Sequence, residues 1–153
     1  MIFNSVQSNS NGARKKWVIS QLSALPPNMK IMDAGAGECF FKSYCSHLEY
    51  VSMDFAQYNG EGNSAGLHTG KWDNTKIDII SDICDIPVEA CSFDAILCTE
   101  VLEHVPNAVA ALEEFSRILK PGGILIMTAP FASLTHFAPY HFSGYSQYWY
   151  EHH

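Results

Sequence analysis

A chain of 153 residues, 47% hydrophobic and 16% charged, has the length of one globular domain and is too apolar for a disordered segment. Nine basic residues against 16 acidic ones leave a net charge of −7, which argues against a nucleic-acid partner gripped through its phosphates. No apolar run approaches the roughly 20 residues of a membrane helix, and the start MIFNSVQSNSNG lacks a basic segment leading into an apolar one. The five cysteines, Cys39, Cys45, Cys84, Cys91 and Cys98, are odd in number and form no C-x-x-C pair. Reduced thiols in a cytoplasmic protein, with no membrane partner, are therefore expected.

Residues 1–12 are expected to be loose. From Ala13 to Leu25 the residues Val18, Leu22 and Leu25 recur at helical spacing, and PPN at 26–28 ends that helix. KIMDA is a short strand. A helix is expected from Glu38 to Ser46, with Phe41, Tyr44 and Leu48 on one face. YVSMDF is a second strand, and residues 56–76 form a long glycine-rich connection of the kind that is usually functional or mobile. KIDIIS and SFDAILC are the third and fourth strands. A broken helical stretch follows from Glu100 to Lys120, interrupted at Pro106, with Leu112, Phe115 and Leu119 as its core stripe. After the PGG turn comes ILIMTAP, a fifth strand apolar enough to be expected buried on both faces.

Strands alternating with helices or loops predict an α/β fold, a doubly wound parallel sheet in one domain over 1–153. Ligands of such sheets lie at the carboxyl ends of the strands. Asp33, Asp54 and Asp82 close three successive strands and are expected to rim one crevice. Gly35 and Gly37 let backbone approach a ligand, but Phe40 stands where a dinucleotide-binding loop would carry its third glycine. A carboxylate at Asp33 repels a pyrophosphate and attracts an ammonium or sulfonium. Asp54, 21 residues further on, is placed for a ribose diol.

The motif DAGAG, followed in order by VSMDF, SDICDIP, FDAILCTEVLEHVP and FSRILKPGGILIMTAP, resembles the class I S-adenosylmethionine-dependent methyltransferases. The likeness covers roughly residues 28–130, with Cys39 where the commonest form has another glycine. It implies a Rossmann-like methyltransferase fold with S-adenosyl-L-methionine as cofactor. It also implies that Asp33, Ala34, Gly35, Ala36 and Gly37 lie against the methionine part, with Asp33 near the amino group. Asp54, with Phe55 beside it, would take the ribose. Asp82 would accept from the adenine amino group while Ile83 packs on the ring, and Thr99 would line the crevice beside the sulfonium. Members of this class normally carry seven strands. Five are visible here, so the last two are expected to be missing and ILIMTAP to lie at an open edge. Such an edge is a pairing template, and a homo-oligomer through it is expected.

TEVLEHV carries a second idea. On a helix, Glu100, Glu103 and His104 would share one face, a set that suits a divalent metal. E-x-x-E-H also resembles the metal-binding helix of O-methyltransferases acting on RNA 3′ ends and on quinone precursors. There the metal lowers the pKa of a substrate hydroxyl, and His136 or His141 would have to complete the set. The plainer alternative makes His104 a general base without metal. Residues 131–153 hold eight of the 19 aromatics and four of the seven histidines, as expected for a segment walling a small-molecule acceptor pocket. The function predicted is methyl transfer to an oxygen or nitrogen of a small molecule. A non-catalytic module that binds S-adenosylmethionine or S-adenosylhomocysteine is the alternative, and a nicotinamide oxidoreductase is disfavoured by Asp33 and the absent glycine.

Overall fold

A computed structural model of the chain describes residues 10–57, 73–132 and 140–153. In chain order it contains α1 (Ser10–Ala24), β1 (Lys30–Ala34), a 3-10 turn (Phe40–Tyr44), β2 (Glu49–Asp54) and β3 (Ile79–Ile80). These are followed by β4 (Phe93–Thr99), a 3-10 turn (Leu102–His104), α2 (Ala108–Ile118), β5 (Leu119–Thr128) and α3 (Gln147–His152). The strands form one sheet in the order β3-β2-β1-β4-β5, with every pairing parallel. The order reverses beside β1, the first strand in the chain and the centre of the sheet. This is the doubly wound α/β architecture that the alternating pattern predicts.

Side chains of a strand point alternately to the two faces, and the central strands supply both cores. Ile31, Ala95, Leu97 and Ile126 meet Val18 and Leu22 of α1, and Leu25 just beyond it, on one face. Met32, Ala34, Ile96 and Cys98 meet Ala111, Phe115 and Ile118 of α2 on the other. The α1 stripe is as the spacing predicts, with Val18 and Leu22 fully buried.

Several elements differ from expectation for local reasons. The helix expected from Glu38 is a 3-10 turn, because Cys39 sits in the left-handed region at φ 56° and breaks the α geometry. Phe41 is buried there but Tyr44 is exposed. The third strand shrinks to two paired residues. The Asp78 carboxylate accepts from the backbone N–H of Ser52 at 2.8 Å and from its hydroxyl at 2.7 Å, so a side chain replaces the ladder at that end. The stretch 100–120 divides at Pro106, with Asn107 capping α2 through a bond accepted from the Ala110 amide at 3.2 Å. That helix ends at Ile118, and Leu119, expected on its stripe, is extended and opens β5. ILIMTAP is not buried on both faces. β5 lies at the sheet edge, where Ile124 and Leu125 are 40% and 37% exposed.

The connection 56–76 lies mostly outside the described residues, as do residues 1–9 and His136.

Candidate functional site

The crevice at the carboxyl ends of β1 and β2 is built from short-range backbone geometry. Gly35 and Gly37 have φ of 82° and 51°, the left-handed region where a side chain is strained. A Cβ at Gly35 would also collide with the Cγ atoms of Val101, so the glycine is needed for close approach as well as for its turn. The amides of Gly35 and Ala36 both donate to the Met53 carbonyl, at 2.8 and 3.0 Å. The Gly37 amide donates to Asp54 Oδ2 at 2.9 Å, and the Ala56 amide to Asp54 Oδ1 at 2.8 Å. The loop's donors are thus engaged within the protein. No α-helix starts behind it, so the nest of amides that cradles a pyrophosphate is lacking here.

What remains to face a ligand is acceptor chemistry. Asp54 keeps further lone pairs on both oxygens. Phe55, directly after it, is 50% exposed. The Ser81 amide donates to the Asp54 carbonyl at 3.2 Å, which places Asp82 next to that corner. Asp82 is exposed and caps its own turn through the Cys84 amide at 2.9 Å. Ile83 is 8% exposed and belongs to the α2-side core. Ala34 is fully buried within β1, and Thr99, the last residue of β4, is half-buried. Asp33 is 2% exposed, and burial pushes its carboxyl up to about 7, with the nearby Asp54 charge adding to the rise. A set of acceptors around a strained glycine turn fits a ligand rich in donors: a diol, an ammonium and an exocyclic amine. It does not fit phosphate.

The acceptor side is different. Residues 100–104 are not helical through their length, so the expected common face does not form. Glu100 turns away at φ 54°, and its carboxylate pairs with Arg14 of α1 at 2.9 Å. Glu103 is fully buried instead of facing the crevice, and burial raises its carboxyl to about 7. Among the described residues no donor hydrogen-bonds to either Glu103 oxygen, and His104 Nε2 lies 3.7 Å from Oε1. The metal set of Glu100, Glu103 and His104 is therefore not assembled, and no group of three such ligands occurs among the described residues. The 3-10 turn covers only Leu102–His104, so Glu100 lies outside it at φ 54° while Glu103 is turned inward under the docked 142–145 segment.

His104 Nδ1 is turned to the Tyr140 carbonyl, and its ring meets His141 edge-on with centroids 5.7 Å apart. His141, one of the two histidines offered to complete a metal set, thus lies beside His104, and the other, His136, is outside the described residues. The segment that brings it there is held by backbone bonds. Phe142 and Ser143 amides donate to the Glu103 carbonyl at 2.7 and 3.4 Å, and the Tyr145 amide donates to the Pro130 carbonyl at 3.0 Å. The Tyr145 hydroxyl donates to the Leu102 carbonyl at 2.9 Å. Tyr145, Trp149 and Tyr150 pack onto the core, whereas Tyr140, Phe142 and Tyr148 are exposed. Nothing in the sequence marked Tyr145 or Tyr50 individually. Tyr50 donates to Asp33 Oδ2 at 2.5 Å, and its parity with Asp33 across β1 and β2 was the available signal.

Residues 32–127 match the family model described as a methyltransferase domain. A ubiquinone biosynthesis O-methyltransferase of Xanthomonas oryzae pv. oryzae is 39% identical over 103 residues, covering 65% of this chain and 42% of that protein. The enzyme of the same name from Xanthomonas axonopodis pv. citri is 27% identical over 121 residues, covering 77% of this chain and 49% of its own length. The chain thus spans about half the length of these curated relatives. Among solved structures, the [4+2]-cyclase SpnF superposes over 97% of this chain and 59% of its own, with a TM-score of 0.65 at 17% identity. That likeness is one of fold. Among the described residues no helix is long and apolar enough to cross a membrane.

Proposed function

The chain belongs to the methyltransferase-domain family, and on that premise we propose that it moves a methyl group from S-adenosylmethionine to an oxygen of a small-molecule acceptor. The observation that carries the reading is the corner where Gly37 and Ala56 amides orient the Asp54 carboxylate beside a glycine turn whose own donors are engaged. In this reading Asp54 holds the ribose hydroxyls and Phe55 lies beside them. Asp33 attracts the ammonium, and Gly35 and Gly37 admit the chain of the methionine part. Asp82 and Ile83 take the adenine edge and ring. When bound, the cofactor supplies an electrophilic methyl on a cationic sulfur. The choice of oxygen is supported by the names of the two curated relatives.

Displacement at a methyl needs alignment and exclusion of water more than a protein nucleophile. Aromatic residues 140–150 close the acceptor side against the 102–104 turn, and Thr99 lines the floor. His104 is the base. Its Nδ1 is turned to the Tyr140 carbonyl and its buried Nε2 lies 3.7 Å from Glu103 Oε1, so in this role the ring turns toward the acceptor on binding, with the Glu103 carboxyl near enough to balance the imidazolium. No metal is required for these roles. The exposed β5 edge supports pairing with a second copy, which light scattering across a concentration series would reveal as a dimer; a monomer at every concentration counts against it.

The test is calorimetry with S-adenosylhomocysteine, followed by an assay over hydroxylated acceptors. Asp54→Ala should lose a pair of charge-assisted contacts of about 1.5–3 kcal/mol each, and His104→Ala should slow transfer by about 10²–10⁴-fold while binding persists. Wild-type affinity in Asp54→Ala would sink the cofactor assignment. An unchanged rate in His104→Ala would sink the base.

A further inference from the structure

We propose that Tyr50 is a positioning residue for the amino-acid end of the cofactor: its hydroxyl biases the buried Asp33 toward the carboxylate, and binding an ammonium there completes the ionisation, releasing the proton that Asp33 still shares. The inference rests on the cofactor reading above and concerns a residue outside the motif loop.

The register places Tyr50 opposite Ile31 and Ser52 opposite Asp33, so Tyr50 and Asp33 share the α1 face of the sheet one pleat apart. The phenol reaches diagonally across and donates to Asp33 Oδ2 at 2.5 Å. That length suits a bond to an ionised acceptor. Among the described residues Tyr50 is the donor recorded for this carboxylate, which is 2% exposed. A carboxylate so placed has lost its hydration and has one donor in return, so protonation competes closely with ionisation.

Among the described residues no cation pairs with this carboxylate. From β2 the Asp54 carboxylate opposes ionisation. Directly after the Phe40–Tyr44 turn, Cys45 is a thiol pushed up to about 11 by burial and by Asp33, and from β4 the buried Cys98 thiol is raised as well, so both are neutral. Cys39 lies on the Tyr50 side of the group. The Tyr50 phenol, itself raised by burial, stays a donor. The Lys42 ammonium lies 5.6 Å from the Tyr50 ring centroid, over its face, and forms no ion pair with Asp33. Among the described residues the position thus has a geometry for an anion, one neutral donor and no paired cation. An incoming ammonium supplies the missing charge. In the protonated state the carboxyl gives its proton to the buffer as the ammonium pairs with the carboxylate, and no other bond changes. The rise of Asp33 to about 7 puts this exchange in the neutral range.

The test compares the parent chain, Tyr50→Phe and Asp33→Asn by calorimetry with S-adenosylhomocysteine and with 5′-methylthioadenosine, which has the nucleoside but no amino-acid end. In the parent, affinity for S-adenosylhomocysteine should fall about tenfold per pH unit below the Asp33 midpoint. In Tyr50→Phe the break should move up by about one unit, so the two affinities differ about tenfold in acid and converge in alkali. Taking the ratio cancels the ligand's own ionisation. Asp33→Asn should lack the break, and methylthioadenosine should show no difference between the parent and Tyr50→Phe. A pH-independent ratio, or the same dependence with methylthioadenosine, overturns the inference and leaves the cofactor reading standing. Failure of both ligands to bind the parent overturns the cofactor reading and this inference together. Proton counting on the parent alone, in buffers of different ionisation enthalpy, keeps the question open to refutation if Tyr50→Phe does not fold. Release approaching about one proton at about pH 6 supports the coupling, and none overturns it.

Discussion

The two sides of the crevice are built by different means. On the cofactor side Gly35, Gly37 and Asp54 lie within one β-loop-β unit, tied by Gly37 to Asp54 and by Gly35 and Ala36 to Met53. On the acceptor side Glu103 and His104 depend on contacts with residues about forty positions away, through Phe142, Tyr140 and Tyr145. One half is tied within a single strand pair. The other is tied across the chain to the 140–153 segment. A local motif tolerates change elsewhere but not at its strained positions, whereas a docked segment can be loosened without disturbing the sheet.

That contrast can be broken first at Gly35. Gly35→Ala adds a Cβ at φ 82° against Val101. Left-handed strain of about 1–2 kcal/mol and overpacking of about 1–3 kcal/mol should together lower stability by roughly 2–5 kcal/mol. Denaturant unfolding checks this, and S-adenosylhomocysteine affinity should collapse with it. A stable variant that binds normally would show that the turn is not a fixed local motif.

The next effect is on the acceptor side. Glu103 has a folded-state value of about 7 against an ordinary 4.5. A raised carboxyl favours the folded state below the unfolded value, and that contribution is lost as pH rises through about 7. Asp33 acts in the same direction, from 3.8 to about 7. Glu103→Gln should therefore flatten the loss of stability between about pH 4 and pH 8 by on the order of 3 kcal/mol. The slope is the readout, since a buried amide carries its own cost at every pH. An unchanged slope would mean that Glu103 ionises freely and is not enclosed by the docked segment.

Tyr145→Phe removes the bond to the Leu102 carbonyl and should cost about 1 kcal/mol. Hydrogen exchange should accelerate across residues 140–153 while S-adenosylhomocysteine affinity stays unchanged. Lost affinity would mean that the two sides are one unit. The smallest effect is expected for Arg14→Ala. The Arg14–Glu100 pair spans the two sides, but its side chains are 27% and 26% exposed, so less than about 1 kcal/mol is expected, fading with salt. A larger, salt-resistant loss would make α1 part of the acceptor architecture.

Much of this was legible in the residues. Strand periodicity placed β1, β2 and β4 to within a residue or so, because buried parallel strands are short apolar runs bounded by turn residues. The glycine loop and the acids Asp33 and Asp54 at the ends of β1 and β2 followed from the same local chemistry, as did the stripe of Val18 and Leu22 on α1, whereas Asp82 lies beyond the end of the short β3. What the pattern could not decide were matters of long-range competition. The 3-10 geometry at 102–104 depends on Tyr145 and Phe142 docking onto its carbonyls, and it turned Glu103 inward and dispersed the expected metal face. The two-residue β3 depends on Asp78 bonding to Ser52 across the sheet. The diagonal bond from Tyr50 to Asp33 depends on the register of β2 beside β1. Local propensity sets which residues turn, extend or coil. Pairings between segments distant in the chain are set by which buried donors and acceptors find partners, and only the tertiary structure resolves that competition.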